Sequence, residues 1–279
     1  MTTILDGKSL RDKILKELKT RLEKYDKKPT LVVILVGDNP ASKIYVNNKK
    51  RTAENLGINS VIINYPADVE ENVLLEKIQE LNEASNVTAI LVQLPLPKHI
   101  NKFKVINAIS PKKDVDGFTP ENAGKLFTGE IPYVYPCTPK GIIRLLDEYK
   151  IPIEEQHAVI VGRSNIVGKP LAQMLLQRNA TVTICHSRTK NLADITKTAD
   201  ILVSAVGGKI IGKNMIKSDC VVIDVGIFKD ENGKTRGDVD FEEVKPLTSY
   251  ISPVPGGVGP MTIAMLMSNT VELFEKNLL

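Results

Sequence analysis

The chain has 279 residues, 42% of them hydrophobic and 25% charged, a composition typical of a globular protein with room for two domains. Its net charge of +4 is small and evenly spread, which argues against a nucleic-acid-binding protein. The cysteines lack CxxC spacing and the histidines lack metal-ligand spacing, so we expect no metal site. No apolar run reaches the length needed to span a membrane, and we expect a soluble cytoplasmic protein.

The first part of the chain alternates short apolar runs with amphipathic stretches. The predicted strands are 31–37, 60–65 and 89–94, and the predicted helices are 7–26, 40–56 and 70–84. This βαβαβ order predicts a parallel sheet with right-handed crossovers. The region from Pro95 to Pro139 is rich in Pro, Gly, Lys and Asp and shows little periodic signal.

The second predicted helix carries the first candidate for chemistry. Asn39 is a good N-cap and Gly57 suits the position after the last turn, so the helix spans about 40–56. At about 100° per residue, Lys49 lies roughly 40° around the helix from Tyr45. Both side chains are therefore predicted to face inward, while the basic neighbours of Lys49 face water.

The place of Lys49 in the predicted sheet distinguishes it from an ordinary lysine. An inward-facing lysine most often packs its stem and extends its ammonium to solvent. This helix, however, directly follows the first strand, so its first half lies near the carboxyl ends of the strands, where open α/β sheets bind ligands. Gln93 interrupts an apolar strand at that edge, and Asp116 lies in the loop downstream, where an Asx turn before Gly117 is an equally good explanation.

The second half repeats the alternation of strands and helices. Its predicted strands are 158–162, 181–185, 201–207 and 221–226, with helical stretches between them. This pattern predicts a second doubly wound domain. A final helix over about 261–274 follows, and the pattern leaves open which half it packs on.

The turn after strand 158–162 has features of a dinucleotide-binding loop. Gly162 and Gly168 bracket it, Ser164 stands at the middle glycine of GxGxxG, and the loop is one residue longer than that motif. The strand before it and the helix after it strengthen the match. The N-terminus of that helix would offer N–H groups and a positive dipole to a phosphate.

Strand 181–185 ends without the acidic residue that accepts from the ribose hydroxyls of NAD. The segment His186–Thr189 stands there instead, and Arg163 lies in the phosphate loop. Hydroxyl and guanidinium donors favour a 2′-phosphate, and therefore NADP over NAD. The competing explanation is that Arg163 and Arg188 only solvate a surface edge.

A third feature is the segment VPGGVGPMT, residues 254–262. Its three glycines and two prolines predict a loop whose backbone can approach a flat ligand closely. A tight connection between the sheet and the final helix is the competing explanation.

Together these residues resemble the bifunctional methylenetetrahydrofolate dehydrogenase/methenyltetrahydrofolate cyclohydrolase family. The shared segments are SKIYVNNKKR with its Tyr-x-x-x-Lys, QLPLP, KDVDGF, PCTPKG, GRSNIVGKP, HS-x-T, DVGI and PVPGGVGPMT, which cover most of the chain in the family's order. The resemblance implies an α/β fold of two domains, each a parallel sheet flanked by helices, with a cleft between them. Folate would bind a catalytic domain of residues 1–138 plus 256–279, and NADP a Rossmann-like domain of residues 139–255.

The resemblance also implies an activity and the residues that carry it. A typically homodimeric enzyme would oxidise 5,10-methylenetetrahydrofolate to the methenyl form with NADP and then hydrolyse it to 10-formyltetrahydrofolate. Lys49 matches the catalytic lysine, Tyr45 the ring lying against the folate and Gln93 the residue supporting the lysine. Asp116 matches the carboxylate that holds the pterin, and further substrate-binding positions are Leu94, Pro255, Gly256 and Gly259. The cofactor-binding positions are Gly162, Arg163, Ser164, Val167, Gly168, His186, Ser187, Thr189, Gly226 and Ile227, with Arg163 and Ser187 at the 2′-phosphate and Ile227 beside the nicotinamide.

Three other classes of protein compete with this assignment. A short-chain dehydrogenase also uses Tyr-x-x-x-Lys, but downstream of its nucleotide loop, whereas Tyr45 lies far upstream of Gly162. A two-domain NADP enzyme acting on a shikimate-type hydroxy acid would not explain QLPLP and PVPGGVGPMT. A non-enzymatic NADP sensor predicts that Lys49 is dispensable.

Overall fold

The structure, a computed structural model, describes residues 1–278 and contains two compact units. The six-stranded unit combines Met1–Lys13 with Pro136–Met265, and the three-stranded unit combines Ile14–Tyr135 with the residues from Leu266 onward. The first residues of the chain thus group with its second half, whereas the boundaries expected from the sequence place them with the first. The cause is a strand at the N-terminus that pairs with a strand near residue 250.

The helices and strands follow one another as the sequence pattern broadly predicts. Up to residue 92 they are β1 (Thr3–Ile4), α1 (Gly7–Glu23), β2 (Thr30–Val36), α2 (Pro40–Asn55), β3 (Asn59–Tyr65), α3 (Glu71–Glu83) and β4 (Ala89–Val92). Beyond it they are α4 (Lys102–Ala108), α5 (Pro120–Thr128), α6 (Cys137–Glu148), β5 (His157–Val161), α7 (Gly168–Leu176), β6 (Thr181–Cys185), α8 (Leu192–Thr196), β7 (Ile201–Ser204), β8 (Cys220–Asp224), β9 (Phe228–Lys229), β10 (Thr235–Arg236), α9 (Phe241–Val244), β11 (Thr248–Ile251) and α10 (Val258–Lys276). Within residues 1–278, none of these helices has the length and apolarity needed to cross a membrane.

The differences from the predicted elements have local causes. Asn39 caps α2 as predicted, by accepting from a backbone N–H of the first turn. α4 and α5 occupy the region of weak periodicity, and α6 begins at its end. β1, β9 and β10 have two residues each and are too short for a pattern to reveal. In the described segment between β7 and β8, the expected helix is replaced by a 3-10 turn, Lys213–Met215. Gly207, Gly208 and Gly212 precede that turn and disfavour an α-helix.

The three-stranded unit is built on a parallel sheet in the order β3-β2-β4. The central strand β2 is buried from Leu31 to Val36, as a strand covered on both faces requires. Leu74, Ile78 and Leu81 of α3 join the buried cluster on one face. Because β3 and β4 lie on opposite sides of β2, the winding reverses there, and open sheets of this kind bind ligands at the carboxyl ends of the strands beside such a point.

The six-stranded unit is built on an all-parallel sheet in the order β1-β11-β8-β7-β5-β6. From β5 the chain continues to β6 on one side and then crosses to β7 on the other. The winding therefore reverses between β5 and β7, which makes the sheet doubly wound. Gly162 directly follows β5 and Ala205 directly follows β7, so both lie at the edge where a dinucleotide is expected to bind.

Candidate active site

Lys49 belongs to a hydrogen-bonded chain at the carboxyl ends of β2 and β4. Its Nζ atom donates to Gln93 Oε1 at 2.9 Å, and Gln93 Nε2 donates to the Leu94 carbonyl at 2.7 Å. Gln93 directly follows β4, and its backbone N–H donates to the Ile34 carbonyl of β2 at 2.9 Å. The sheet thus fixes the backbone of Gln93, and the Gln93 side chain holds the lysine amine at the edge where ligands bind.

The packed face of α2 sets how far Tyr45 and Lys49 reach toward solvent. Val46 and Ala53 are buried on this face, and Lys49 is half-buried. Tyr45 is 43% exposed, so the prediction that it faces inward is wrong. Val46, one residue further on, lies closer to the centre of the packed face, which leaves the tyrosine ring at its margin. A ring in that position is accessible to a flat ligand.

Asp116 lies in a loop that is held beside β4 by a neighbouring carboxylate. Asp114 forms an isolated parallel bridge with β4, and its buried side chain accepts from the Gly117 N–H at 3.0 Å. The same carboxylate accepts from the Thr119 N–H at 2.8 Å and from Asn122 Nδ2 at 3.0 Å. Asp114 therefore makes an Asx contact before Gly117. Sequence reasoning missed Asp114, although the paired aspartates of KDVDGF are a signal for it.

The glycine-rich loop before α10 is supported by the N-terminus of α1. Gly256 has a φ of +114°, which favours glycine, and its carbonyl accepts from the N–H of the second residue of α1 at 3.1 Å. A β-carbon on Gly7 would lie 1.9 Å from the Gly257 carbonyl oxygen, so the two backbones touch. Pro255 follows a cis peptide bond in this loop, and Gly259 has open space where a β-carbon would stand. No local pattern in the sequence predicts the contact with α1.

The turn between β5 and α7 is closed by contacts that only glycine permits. A β-carbon on Gly168 would lie 2.0 Å from the Gly162 carbonyl oxygen. A β-carbon on Gly162, whose φ is +130°, would lie 2.6 Å from the Ala205 carbonyl oxygen. Ser164 Oγ accepts from the N–H groups of Val167 and Gly168 at 3.1 and 3.4 Å. The backbone of the turn is therefore fixed and open to close approach by a pyrophosphate, as a dinucleotide requires.

The turn after β6 carries hydrogen-bond donors and no carboxylate. The His186 N–H donates to Thr189 Oγ1 at 2.9 Å, and the Thr189 N–H donates back to the His186 carbonyl at 2.8 Å. His186 Nδ1 accepts from the Arg188 N–H at 3.1 Å. Ser187 and Arg188 are exposed on this turn, and Arg163 is exposed after the neighbouring strand β5. These residues fit a ribose that carries a phosphate, and hence NADP.

Two buried carboxylates, Asp224 and Asp238, lie at the end of β8 and were missed by sequence reasoning. Asp224 accepts from the Gly226 N–H at 3.0 Å. It also accepts from the N–H groups of Asp238 and Val239 at 2.9 and 3.0 Å. Burial raises the pKa of Asp224 to about 6, although the backbone hydrogen bonds oppose this shift. Ile227 follows Gly226, and its side chain is half-exposed at this edge.

The raised pKa of Asp224 predicts a pH-dependent contribution to stability. Because its folded-state pKa of about 6 exceeds the ordinary value of 3.8, this contribution is fully present below pH 3.8 and is lost as pH rises through 6. The difference in free energy of unfolding, wild type minus Asp224→Asn, is expected to be about 2 kcal/mol larger near pH 4.5 than near pH 7.5. Urea denaturation of both proteins at several pH values measures this difference. A difference that stays constant, or grows with pH, would contradict the shift.

The geometry defines a class of protein. The six-stranded unit has the doubly wound sheet, the glycine turn and the phosphate donors of a dinucleotide-binding domain. The three-stranded unit holds a lysine amine at its ligand-binding edge. Together these features are typical of a dinucleotide-dependent enzyme.

Comparisons with known proteins identify the family. Residues 5–116 match the model of the tetrahydrofolate dehydrogenase/cyclohydrolase catalytic domain, and residues 136–278 match that of the NAD(P)-binding domain. The bifunctional protein FolD of Pediococcus pentosaceus is 56% identical, with 98% of each chain covered. The crystal structure of Campylobacter jejuni FolD has a TM-score of 0.97 and 48% identity, with 99% of each chain covered. That of Trypanosoma brucei FolD, complexed with NADP cofactor and inhibitor, has a TM-score of 0.94 and 35% identity, covering 99% of this chain and 98% of that one.

The chain belongs to the tetrahydrofolate dehydrogenase/cyclohydrolase family. The predicted fold class is confirmed, with parallel sheets flanked by helices and a C-terminal NAD(P)-binding domain. The predicted function is confirmed as well. The chain is a bifunctional enzyme of one-carbon metabolism that oxidises 5,10-methylenetetrahydrofolate with NADP and hydrolyses the methenyl product to 10-formyltetrahydrofolate. The three competing classes are thereby excluded.

Proposed function

We propose that Lys49 is the general base of the hydrolytic step and that Gln93 holds it in place. The observation that carries this proposal is the 2.9 Å hydrogen bond from Lys49 Nζ to Gln93 Oε1 at the carboxyl ends of β2 and β4. Gln93 is uncharged, so it holds the amine by a hydrogen bond without adding a charge to the site. A neutral amine fixed at this edge can take the proton of an attacking water.

The two reactions place compatible demands on a neutral amine. In the first, bound NADP would supply the hydride acceptor, and the lone pairs of the two flanking folate nitrogens would stabilise the cation left on the methylene carbon. A protonated lysine beside that cation would oppose its formation by charge repulsion. In the second, water adds to the methenyl carbon and Lys49 takes its first proton. The remaining hydroxyl proton then passes to the departing folate nitrogen as its bond to carbon breaks, which leaves the formyl group on the other nitrogen. A neutral Lys49 therefore serves both reactions.

Tyr45 and Asp116 are the proposed folate contacts of the three-stranded unit. Tyr45 would lie against the folate ring, and Asp116 would accept hydrogen bonds from the pterin. The exposure of Tyr45 and the fixed loop that Asp114 forms around Asp116 support these roles. The remaining proposed contacts are Leu94, Pro255, Gly256 and Gly259, and folate as a whole is assigned to residues 1–138 and 256–279.

NADP is assigned to residues 139–255, along the carboxyl ends of β5, β6 and β8. The turn from Gly162 to Gly168, with Ser164 and Val167, would receive the pyrophosphate at the N-terminus of α7. Arg163 and Ser187 would bind the 2′-phosphate, with His186 and Thr189 fixing the turn that carries Ser187. Gly226 and Ile227 would lie at the nicotinamide end. The backbone contacts of the glycine turn and the exposure of Arg163 and Ser187 support this assignment.

Arg163→Ala tests the assignment of the 2′-phosphate. We expect the KM for NADP to rise about ten-fold while that for NAD changes less than about two-fold, because the guanidinium pairs only with the additional phosphate. Dehydrogenase kinetics with both cofactors measures the two values. Lys169→Ala is a matched control, since Lys169 is an exposed cation near the same turn whose Nζ donates to Asn165 Oδ1 at 2.8 Å. Equal losses with both cofactors in Arg163→Ala would mean that the 2′-phosphate is bound elsewhere.

One incubation separates the two reactions. The purified chain is supplied with methylenetetrahydrofolate and either NADP or NAD, and reduced nicotinamide and 10-formyltetrahydrofolate are followed separately. We expect both products with NADP, with formyl product forming faster than in a protein-free control containing methenyltetrahydrofolate. If formyl product forms only at the protein-free rate, Lys49 does not have the proposed role. If neither reduced nicotinamide nor additional formyl product forms, the function is contradicted.

We also propose that the enzyme is a cytoplasmic homodimer. The family resemblance supports the dimer, and three buried cysteines that form no disulfide suit a reducing compartment. Sedimentation equilibrium of the purified chain is expected to give twice the mass of one chain. A single-chain mass at micromolar concentration would contradict the dimer.

A further inference from the structure

Asp238 carries a buried carboxylate that the proposed reaction does not use. The side chain is fully buried and accepts from four donors. Ser204 Oγ and the Val206 N–H donate to Oδ2 at 2.8 and 2.7 Å. The N–H groups of Gly207 and Gly208 both donate to Oδ1 at 2.8 Å. Both oxygens of the carboxylate therefore act as acceptors.

The loop held by this carboxylate, Val206–Gly208, lies at the ligand-binding edge of the six-stranded unit. It follows β7, which borders the point where the winding of the sheet reverses. On the other side of Asp238 lies Gly226, where a β-carbon would stand 1.8 Å from Asp238 Oδ1. The carboxylate therefore lies between the loop after β7 and the segment Gly226–Ile227, which follows β8.

Contacts distant in the sequence hold Asp238 in this position. Its backbone N–H donates to Asp224 Oδ1 at 2.9 Å, and its carbonyl accepts from the N–H groups of Ile210 and Ile211 at 2.9 and 3.0 Å. Burying a carboxylate is costly unless donors replace its water. Here three of the four donors are consecutive backbone N–H groups, an arrangement that otherwise forms anion-binding sites in proteins.

The use of these N–H groups inside the protein limits what the loop can bind. With its donors directed at Asp238, the loop lacks the N–H groups that would bind a cofactor phosphate, and the negative charge behind it disfavours any anion. A neutral or cationic part of the cofactor is the better ligand for this part of the edge. The nicotinamide, which is cationic when oxidised, meets that requirement.

We infer that Asp238 is a positioning residue that fixes the loop Val206–Gly208 and the Gly226–Ile227 turn at the nicotinamide end of the cofactor site. This inference rests on the proposed placement of NADP along β5, β6 and β8. Asp238 acts through the two backbone segments and does not itself contact the cofactor.

The test is Asp238→Asn, studied first without cofactor. An amide cannot accept from all four donors, so we expect amide hydrogen exchange at Val206–Gly208 in the free enzyme to become at least about ten-fold faster. The KM for NADP should rise about ten-fold, while hydrolysis of methenyltetrahydrofolate stays within about two-fold of the wild type. Should Asp238→Asn fail to fold, Ser204→Ala removes one donor and should shift the same exchange rates and the KM in the same direction.

Asp200→Asn is the matched control. Asp200 accepts from the His157 N–H at 2.8 Å and pairs with Lys217 at the opposite edge of the same sheet. It should change neither the exchange at Val206–Gly208 nor the KM for NADP. Unchanged exchange in Asp238→Asn, or parallel loss of both activities, would overturn the inference. If the wild type instead binds no NADP while Asp238→Asn still accelerates the exchange, the proposed cofactor site is at fault and Asp238 fixes the loop for another purpose.

Discussion

Replacing Lys49 with methionine is expected to reduce the hydrolysis of methenyltetrahydrofolate by about a thousand-fold. Methionine is similar in length to the apolar stem of lysine, so the packing of α2 beside the buried Val46 and Ala53 is preserved. What is lost is the amine that donates to Gln93 at 2.9 Å and would take a proton from water. NADP binding should stay within about two-fold of the wild type, because the proposed cofactor residues belong to the six-stranded unit.

Loss of methenyltetrahydrofolate absorbance measures the hydrolysis, and calorimetric titration with NADP measures the affinity. Lys50→Met is the matched control, since Lys50 is the next residue of α2 and its exposed side chain lies 3.8 Å from Glu54 in an ion pair. That variant should hydrolyse the substrate at the wild-type rate. If Lys49→Met did so as well, Lys49 would not be the base. Loss of NADP affinity in Lys49→Met would instead indicate a general disturbance of folding.

Local sequence patterns predict the elements that carry the site, because the chemistry of each element lies in neighbouring residues. Helical periodicity places Lys49 on the packed side of α2, and the spacing of Gly162 and Gly168 indicates the turn after β5. The predicted direction of Tyr45 is wrong because contacts between α2 and the sheet decide which face of the helix is buried, and the helical pattern alone does not show those contacts. The pairing of Lys49 with Gln93 came from the family resemblance, since a helix-to-strand contact depends on how the two elements cross.

The residues that sequence reasoning missed are held by partners far along the chain. Asp238 binds the loop after β7, and Gly7 packs against Gly257 from the opposite end of the sequence. No window of neighbouring residues contains both members of such a pair. The grouping of Met1–Lys13 with the second half has the same origin, since β1 needs β11 as its partner. Periodicity predicts that elements exist, and tertiary pairing decides which of their polar groups meet.

Gly168→Ala is expected to weaken NADP binding by about ten- to a hundred-fold, the equivalent of roughly 1–3 kcal/mol of overpacking. The new methyl group would stand 2.0 Å from the Gly162 carbonyl oxygen and 3.1 Å from Arg163 Cα. These are backbone atoms, so no side-chain rotation relieves the clash. β5 is hydrogen-bonded on both sides in the sheet, so α7 must move away from it. That movement displaces the turn proposed to receive the pyrophosphate, while hydrolysis of methenyltetrahydrofolate in the other unit should remain.

Calorimetric titration with NADP and the hydrolysis assay on the same preparation measure the two effects. Gly212→Ala is the matched control, because Gly212 lies in the same unit and has no atom within 4 Å of where a β-carbon would stand. Its NADP affinity should equal that of the wild type. Wild-type affinity in Gly168→Ala would mean that the cofactor does not bind at the turn after β5. Parallel loss of NADP binding and hydrolysis would mean that the substitution unfolds the chain instead of displacing α7, and a thermal unfolding curve of the same sample distinguishes that outcome.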